Sequence, residues 1–193
     1  EAGFLINNEG SFYPSVAFDG ENYMVIWHDT RTQVGGWSIY GALVSPAGET
    51  SEPADFLIND TPLHQEHSTI EFGGTNYLVA WHEWPTDGVK QVGQVSAARV
   101  TPQGVVLDDP AILIYPYVYG EDRPSVTWDG AQFLVSWLSM SSSAHFRHAD
   151  SYGVRLGADG SFLDDKPIPL GVATGHQWRP YSAYGAGRIL VLW

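Results

Sequence analysis

The sequence predicts an all-β protein assembled from a repeated unit, and three observations carry that expectation. Tryptophan closes a short apolar run four times, at Trp27, Trp81, Trp137 and Trp193, with intervals of 54, 56 and 56 residues. Nine residues before each stands another aromatic: Phe18, Phe72, Trp128 and Tyr184. A short turn lies inside each interval, Asp19-Gly20-Glu21-Asn22, Gly73-Gly74-Thr75-Asn76, Asp129-Gly130-Ala131-Gln132 and Gly185-Ala186-Gly187-Arg188. A fixed period of this size marks a repeat architecture. The third observation is compositional: 21 Gly and 12 Pro accompany eight Trp, ten Tyr and eight Phe, and no segment sustains a capped helical period.

Each unit reads as four strands. Phe4-Leu5-Ile6-Asn7 recurs as Phe56-Leu57-Ile58-Asn59, and more loosely at Ile112 to Tyr115 and Ile168 to Gly171. A second element covers Ser15 to Phe18, Thr69 to Phe72, Ser125 to Trp128 and Ser182 to Tyr184. The third, Tyr23 to Trp27 and its copies, is continuously apolar and too short for a buried helix, so it reads as a strand buried on both faces. The fourth, Ile39 to Val44, Ser96 to Val100 and Tyr152 to Leu156, alternates more, as a strand nearer an edge would, and leads to a turn at Gly48, Gly104 or Gly160.

Four antiparallel strands in about 55 residues make a β-propeller blade. Naming the strands a to d from the centre outwards, the chain holds one d strand, three full blades, and the a and b strands of a fourth. It is read as one domain over residues 1–193, with repeats at about 4–55, 56–111 and 112–167 and a partial one at 168–193. A β-sandwich of two duplicated halves is the rival, which three near-equal copies and a part fit poorly. A chain that stops at Trp193 leaves the ring incomplete and exposes a strand edge. Self-association or the missing blades of a longer parent chain would complete it.

The bulk numbers narrow the partners. Lys and Arg total 9 against 22 Asp and Glu, for a formal charge of −13. Scattered, scarce cations exclude a nucleic-acid backbone as partner and disfavour an anionic membrane surface. No apolar run reaches the length of a membrane span, so no membrane insertion is expected. Cysteine is absent, which excludes disulfides and thiolate chemistry. Residue 1 opens almost directly into a strand, so any leader is expected to have been removed.

Several motifs resemble a known class of repeats: Trp27-His28-Asp29-Thr30-Arg31, Tyr40-Gly41-Ala42-Leu43-Val44, Ala98-Arg99-Val100, Gly104-Val105-Val106-Leu107-Asp108 and Gly160-Ser161-Phe162-Leu163-Asp164. They are similar to β-propeller-type tandem repeats of large secreted or surface-exposed bacterial proteins. The resemblance covers nearly the whole chain. It implies a propeller fold and an extracellular or cell-surface setting, and is nearly silent on activity.

In such a blade the a–b and c–d turns share one face, and the b–c and d–a loops the other. All seven histidines fall in the second set, which makes that face the expected site. Candidate ligand-binding residues are His28, Asp29, His82, Glu83, Arg123, His176, Trp178 and Arg179. His28-Asp29 and His82-Glu83 follow the repeat tryptophan in successive blades, either as loop caps or as a polar ring near the channel. Arg123 aligns with Arg179 and His67; such residues suit acidic or neutral sugars, through ring stacking and guanidinium–carboxylate pairing, or serve blade packing. His64 with His67, and His145 with His148, place imidazoles three apart and are candidate zinc or copper ligands, or plain solvated loop residues. The pairs Asp108-Asp109 and Asp164-Asp165 are turn residues or calcium ligands.

The function expected from this pattern is a non-catalytic binding or scaffold module of an exported bacterial protein, engaging glycan or protein through the long-loop face. The alternatives are a glycan-active hydrolase or lyase, drawing an acid–base pair from Asp29, Glu66, Glu83, Glu121 or Asp122, and a histidine-based metal-binding module.

Overall fold

A computed structural model of the chain describes residues 6, 11–31, 36–85, 93–118, 123–140, 149–172, 177 and 179–193. The described residues are all-β, without helix. The first sheet holds β1 (Phe12–Phe18), β2 (Tyr23–Asp29), β3 (Ser38–Val44) and β4 (Phe56–Asn59). The second holds β5 (Leu63–Phe72), β6 (Tyr77–Pro85), β7 (Gly93–Val100) and β8 (Ile112–Val118), and the third β9 (Ser125–Trp128), β10 (Gln132–Met140), β11 (Ala149–Gly157) and β12 (Ile168–Gly171). A two-stranded sheet follows, β13 (Tyr181–Gly185) with β14 (Arg188–Leu192). Pairing is antiparallel throughout and each sheet runs in simple chain order, the a-b-c-d meander of a propeller blade.

Packing between sheets explains the apolar runs. Side chains alternate across a strand, so a strand flanked by two other sheets is apolar at every position. In β6, Tyr77, Val79 and Trp81 pack with Met24, Ile26 and Ile39 of the first sheet. Leu78 and Ala80, pointing the other way, pack with Phe133, Val135 and Trp137 of the third. The third strand of the first two sheets departs from its edge-like reading. β3 is buried at six of seven positions, because β4 covers it and the neighbouring sheet closes its face. Alternation survives in β11.

The a–b turns close as predicted. Asp19 Oδ1 accepts from the backbone N–H of Glu21 and Asn22 (2.7 and 2.6 Å), and Asp129 repeats this with Ala131 and Gln132. Gly73 is required for a different reason: a Cβ there would enter the ring of Phe133 in the next sheet. In the c–d turns, Asp108 accepts from the backbone N–H, Nε and Nη2 of Arg99 (2.8, 2.9 and 2.8 Å). Asp164 does the same with Arg155. Both carboxylates are thus held by their own arginine, the turn role rather than the calcium role.

The repeat tryptophans are unequal. Trp81 and Trp137 are wholly buried, whereas Trp193 is 53% exposed, its indole against Gly171. Trp81→Ala and Trp137→Ala are each expected to cost about 3–5 kcal/mol of unfolding free energy, and Trp193→Ala clearly less. Urea unfolding of the three variants followed by circular dichroism checks this; equal losses would contradict the packing described.

Candidate functional site

The innermost strands carry the local feature that builds the site. Between Phe12 and Ser15 the register of β1 against β2 slips by one residue, and β5 slips likewise between Glu66 and Thr69. Each extra residue lies across from a repeat tryptophan, Trp27 or Trp81. A bulge of this kind bends the strand and re-aims a side chain. It leaves Tyr13 at φ 50° and His67 at φ 55°, and Arg179, at the equivalent place before β13, has φ 25°. Non-glycine residues in this region are uncommon and strained, and such residues cluster at functional sites. Arg123 occupies the same repeat position before β9.

These positions converge. A pocket of about 260 Å³ opens where β1, β5, β9 and β13 meet, and its lining includes Tyr13, Ser15, His67, Arg123, Ser125 and Tyr181. The Arg123 guanidinium lies 4.9 Å from the centre of the Tyr13 ring, which meets His67 edge-on at 5.0 Å. Nε of Arg123 is buried and has no hydrogen-bond partner among the described residues. Glu66 stands beside the pocket, Oε2 3.5 Å from Nε2 of His67. Hydroxyls bridge the third and fourth sheets: Ser182 Oγ lies 2.6 Å from Thr127 Oγ1 and 3.2 Å from Ser125 Oγ.

Behind the pocket runs a chain of ring contacts. Tyr13 leans on His28 (5.4 Å), which stacks on Trp37 (4.6 Å, 11°). Trp37 meets His64 edge-on, His64 lies against Trp84, and Trp84 against His82. Burial pushes His28 down to about 4 although the charge of Asp29 opposes it. Burial, reinforced by His67, pushes His82 down to about 3. Both rings are therefore neutral packing elements at neutral pH.

The carboxylates next to them are committed to the fold. Asp29 accepts from Trp27 Nε1 (3.0 Å), Arg31 Nη2 (2.7 Å) and the Arg31 backbone N–H (3.0 Å), which caps the loop after β2. Burial alone would raise its pKa; hydrogen bonds from Arg31 and Trp27 outweigh that and hold it below the usual carboxylate range. Glu83 accepts from Ser96 Oγ (2.5 Å), Gln94 Nε2 (2.8 Å) and Thr61 Oγ1 (3.3 Å). His28, Asp29, His82 and Glu83 are all buried. None of the four lines the pocket.

Of the other expected residues, Arg123 lines the pocket and Arg179 lies in the strained position before β13. His64 packs between tryptophans while His67 faces the pocket, and no group of three or more His, Asp or Glu that could hold a metal occurs among the described residues. His145, His148, His176 and Trp178 lie outside the described residues. Tyr13 and Tyr181 were not anticipated as site residues. The signal for Tyr13 was the thrice-repeated Tyr13-Pro14, Arg123-Pro124 and Arg179-Pro180.

No protein-family model matches the chain, and no curated protein matches it. Among solved structures it is similar to an endo-arabinase from Bacteroides thetaiotaomicron, at 11% identity and TM-score 0.56, over 92% of this chain and 68% of the other. An α-L-arabinofuranosidase from Podospora anserina, solved with cellotriose, is matched at 8% identity over 86% and 68% of the chains, but at TM-score 0.28 is too loose to inform the fold. The first likeness is one of β-propeller-like fold. It counts against the expectation of a non-catalytic binding or scaffold module, since the similar structure is that of an endo-arabinase.

The neutral histidines predict a pH dependence. In the unfolded chain each ring takes a proton near pH 6.5, whereas the folded rings stay neutral to about 4 and about 3. The unfolded state therefore binds more protons in this window, and stability falls as pH falls below about 6.5, by roughly 1.4 kcal/mol per pH unit for each ring. Urea midpoints at pH 7, 6 and 5 should decline for the wild type and less for His28→Gln. A flat wild-type profile would show that the rings are not buried neutral.

Proposed function

We propose that this chain acts as a glycan-active hydrolase whose site is the axial pocket on the long-loop face. The observation that carries the reading is the convergence of strained, polar and aromatic side chains from four innermost strands on one pocket, in a fold similar to that of an endo-arabinase. Rigid strands bearing a few re-aimed side chains suit a site that must position a sugar.

Glycoside hydrolysis needs two carboxyl groups. One donates its proton to the departing glycosidic oxygen as the bond to the anomeric carbon breaks. The other accepts a proton from the water whose oxygen bonds to that carbon, or first bonds to it directly. Asp29 and Glu83 are buried in the hydrogen bonds of the fold, and Glu66, 3.5 Å from the His67 that lines the pocket, is the favoured member. Glu121 and Asp122 directly precede Arg123 in the sequence and are the candidates for the second. The sugar ring would rest on Tyr13 and Tyr181.

The wider reading is of a piece with this. We take residues 1–193 as one repeat domain, with units at about 4–55, 56–111, 112–167 and 168–193. The glycan is the partner, and the motif resemblance supports an exported bacterial protein.

The test is release of reducing ends from a panel of polysaccharides including arabinan, xylan and homogalacturonan. The expected result is turnover of at least one, lowered by about 10²–10⁴-fold in Glu66→Gln with an unchanged unfolding midpoint. No turnover on any member, or full activity in the variant, counts against the hydrolase reading or the role of Glu66 respectively.

A further inference from the structure

We infer that the axial pocket recognises the carboxylate of an acidic sugar, a hexuronic acid unit, with Arg123 as its ion-pair partner. This rests on the glycan-directed reading above and names the substrate class of the same site. The chain is strongly acidic, with 22 Asp and Glu against 9 Lys and Arg, yet none of the described residues lining this pocket is Asp or Glu. Its wall instead carries a guanidinium, the His67 imidazole, hydroxyl groups and tyrosine rings.

Arg123 is the centre of the argument. Its Nε is buried and lacks a hydrogen-bond partner among the described residues, while its guanidinium carbon lies over the Tyr13 ring. A buried, unpartnered guanidinium N–H costs stability unless an acceptor arrives. The acceptor that matches a planar fork best is a carboxylate. The same positive group disfavours a metal cation in the pocket. A neutral sugar would satisfy the hydrogen bond but not the charge.

Size and lining add the sugar. About 260 Å³ falls just below the usual range of small-molecule pockets, roughly 300–1,000 Å³, which fits one ring and not a long segment. Tyr13 and Tyr181 are 48% and 65% exposed, leaving aromatic surface for stacking. Ser15, Thr69 and Ser125 supply hydroxyls for a sugar's hydroxyl groups. The ring contacts that hold Tyr13 and His67 at positive φ fix this wall before any ligand binds. Among the described residues Glu66 lies 3.5 Å from His67, so the carboxylate of the ligand belongs on the Arg123 side.

Calorimetric titration of the whole chain with sodium D-galacturonate, D-galactose and sodium acetate tests the inference. Galacturonate is expected to bind at least about tenfold more tightly than either control, and Arg123→Gln to lose about tenfold or more of that affinity. Arg123→Lys, which keeps the charge but not the fork, should fall between. Equal binding of galactose overturns the acidic-sugar assignment, and equal binding of acetate overturns the sugar part of it. Should Arg123→Gln fail to fold, a salt titration of the wild type decides: affinity for galacturonate must drop with added NaCl, and a salt-independent affinity overturns the ion pair. Galacturonate binding without turnover of any polysaccharide would refute the hydrolase alone. Turnover restricted to neutral glycans, unaffected by Arg123→Gln, would refute this inference alone.

Discussion

The extra residue that the innermost strand carries across from the repeat tryptophan is the constraint on which the rest depends. Trp27 and Trp81 sit on strands packed from both faces, which leaves the innermost strand no freedom to shift along them. Absorbing one more residue there forces a local bend, and the bend turns Tyr13 and His67 towards the axis at positive φ. Such a conformation persists only where surrounding packing over-determines it. Here the ring contacts of Tyr13 with His28 and His67 do so. The wholly buried Trp81 is thus coupled to the site through the backbone register, although it does not touch the pocket.

This coupling explains what could and could not be read from the sequence. The tryptophan period reports the spacing of sheets, and the strand order followed from it because each unit is a simple meander. Sheet-on-sheet burial was only half legible. An apolar run such as Tyr77 to Trp81 shows it directly, but β3 hides it, since Ser38 and Gly41 interrupt the pattern while being buried all the same. Polar residues misled most. His28, Asp29, His82 and Glu83 look like surface ligands because nothing in their spacing reveals that a neighbouring strand covers them. Asp29 finds Trp27 and Arg31 within its own loop, and Glu83 finds Ser96 across the sheet and Thr61 before β5. The pocket wall was legible only by comparing copies, where Tyr13, His67, Arg123 and Arg179 fall at one place.

Charge is divided along the same line. Acidic side chains near the outer turns are matched individually, Asp108 with Arg99 and Asp164 with Arg155. These two pairs fix the c–d hairpins by bidentate contact rather than by net attraction, which is weak for exposed pairs. They also withdraw two of the nine basic side chains from any ligand. Arg31 is withdrawn by Asp29 and Asp55.

What remains at the axis is consequently selective by subtraction. Carboxylates that could repel an anion there are either tied to their own donors or, like Glu66, placed to one side beside an imidazole. Arg31, Arg99 and Arg155 are paired, whereas Arg123 is a described arginine of this face with buried donor capacity still open. A guanidinium N–H left unmatched in the pocket where backbone strain is concentrated directs its electrostatic energy to that point. The repeat supplies four similar strands; their differences at a single register position, Tyr, His, Arg and Arg, are what make the axis asymmetric and able to distinguish one end of a ligand from the other.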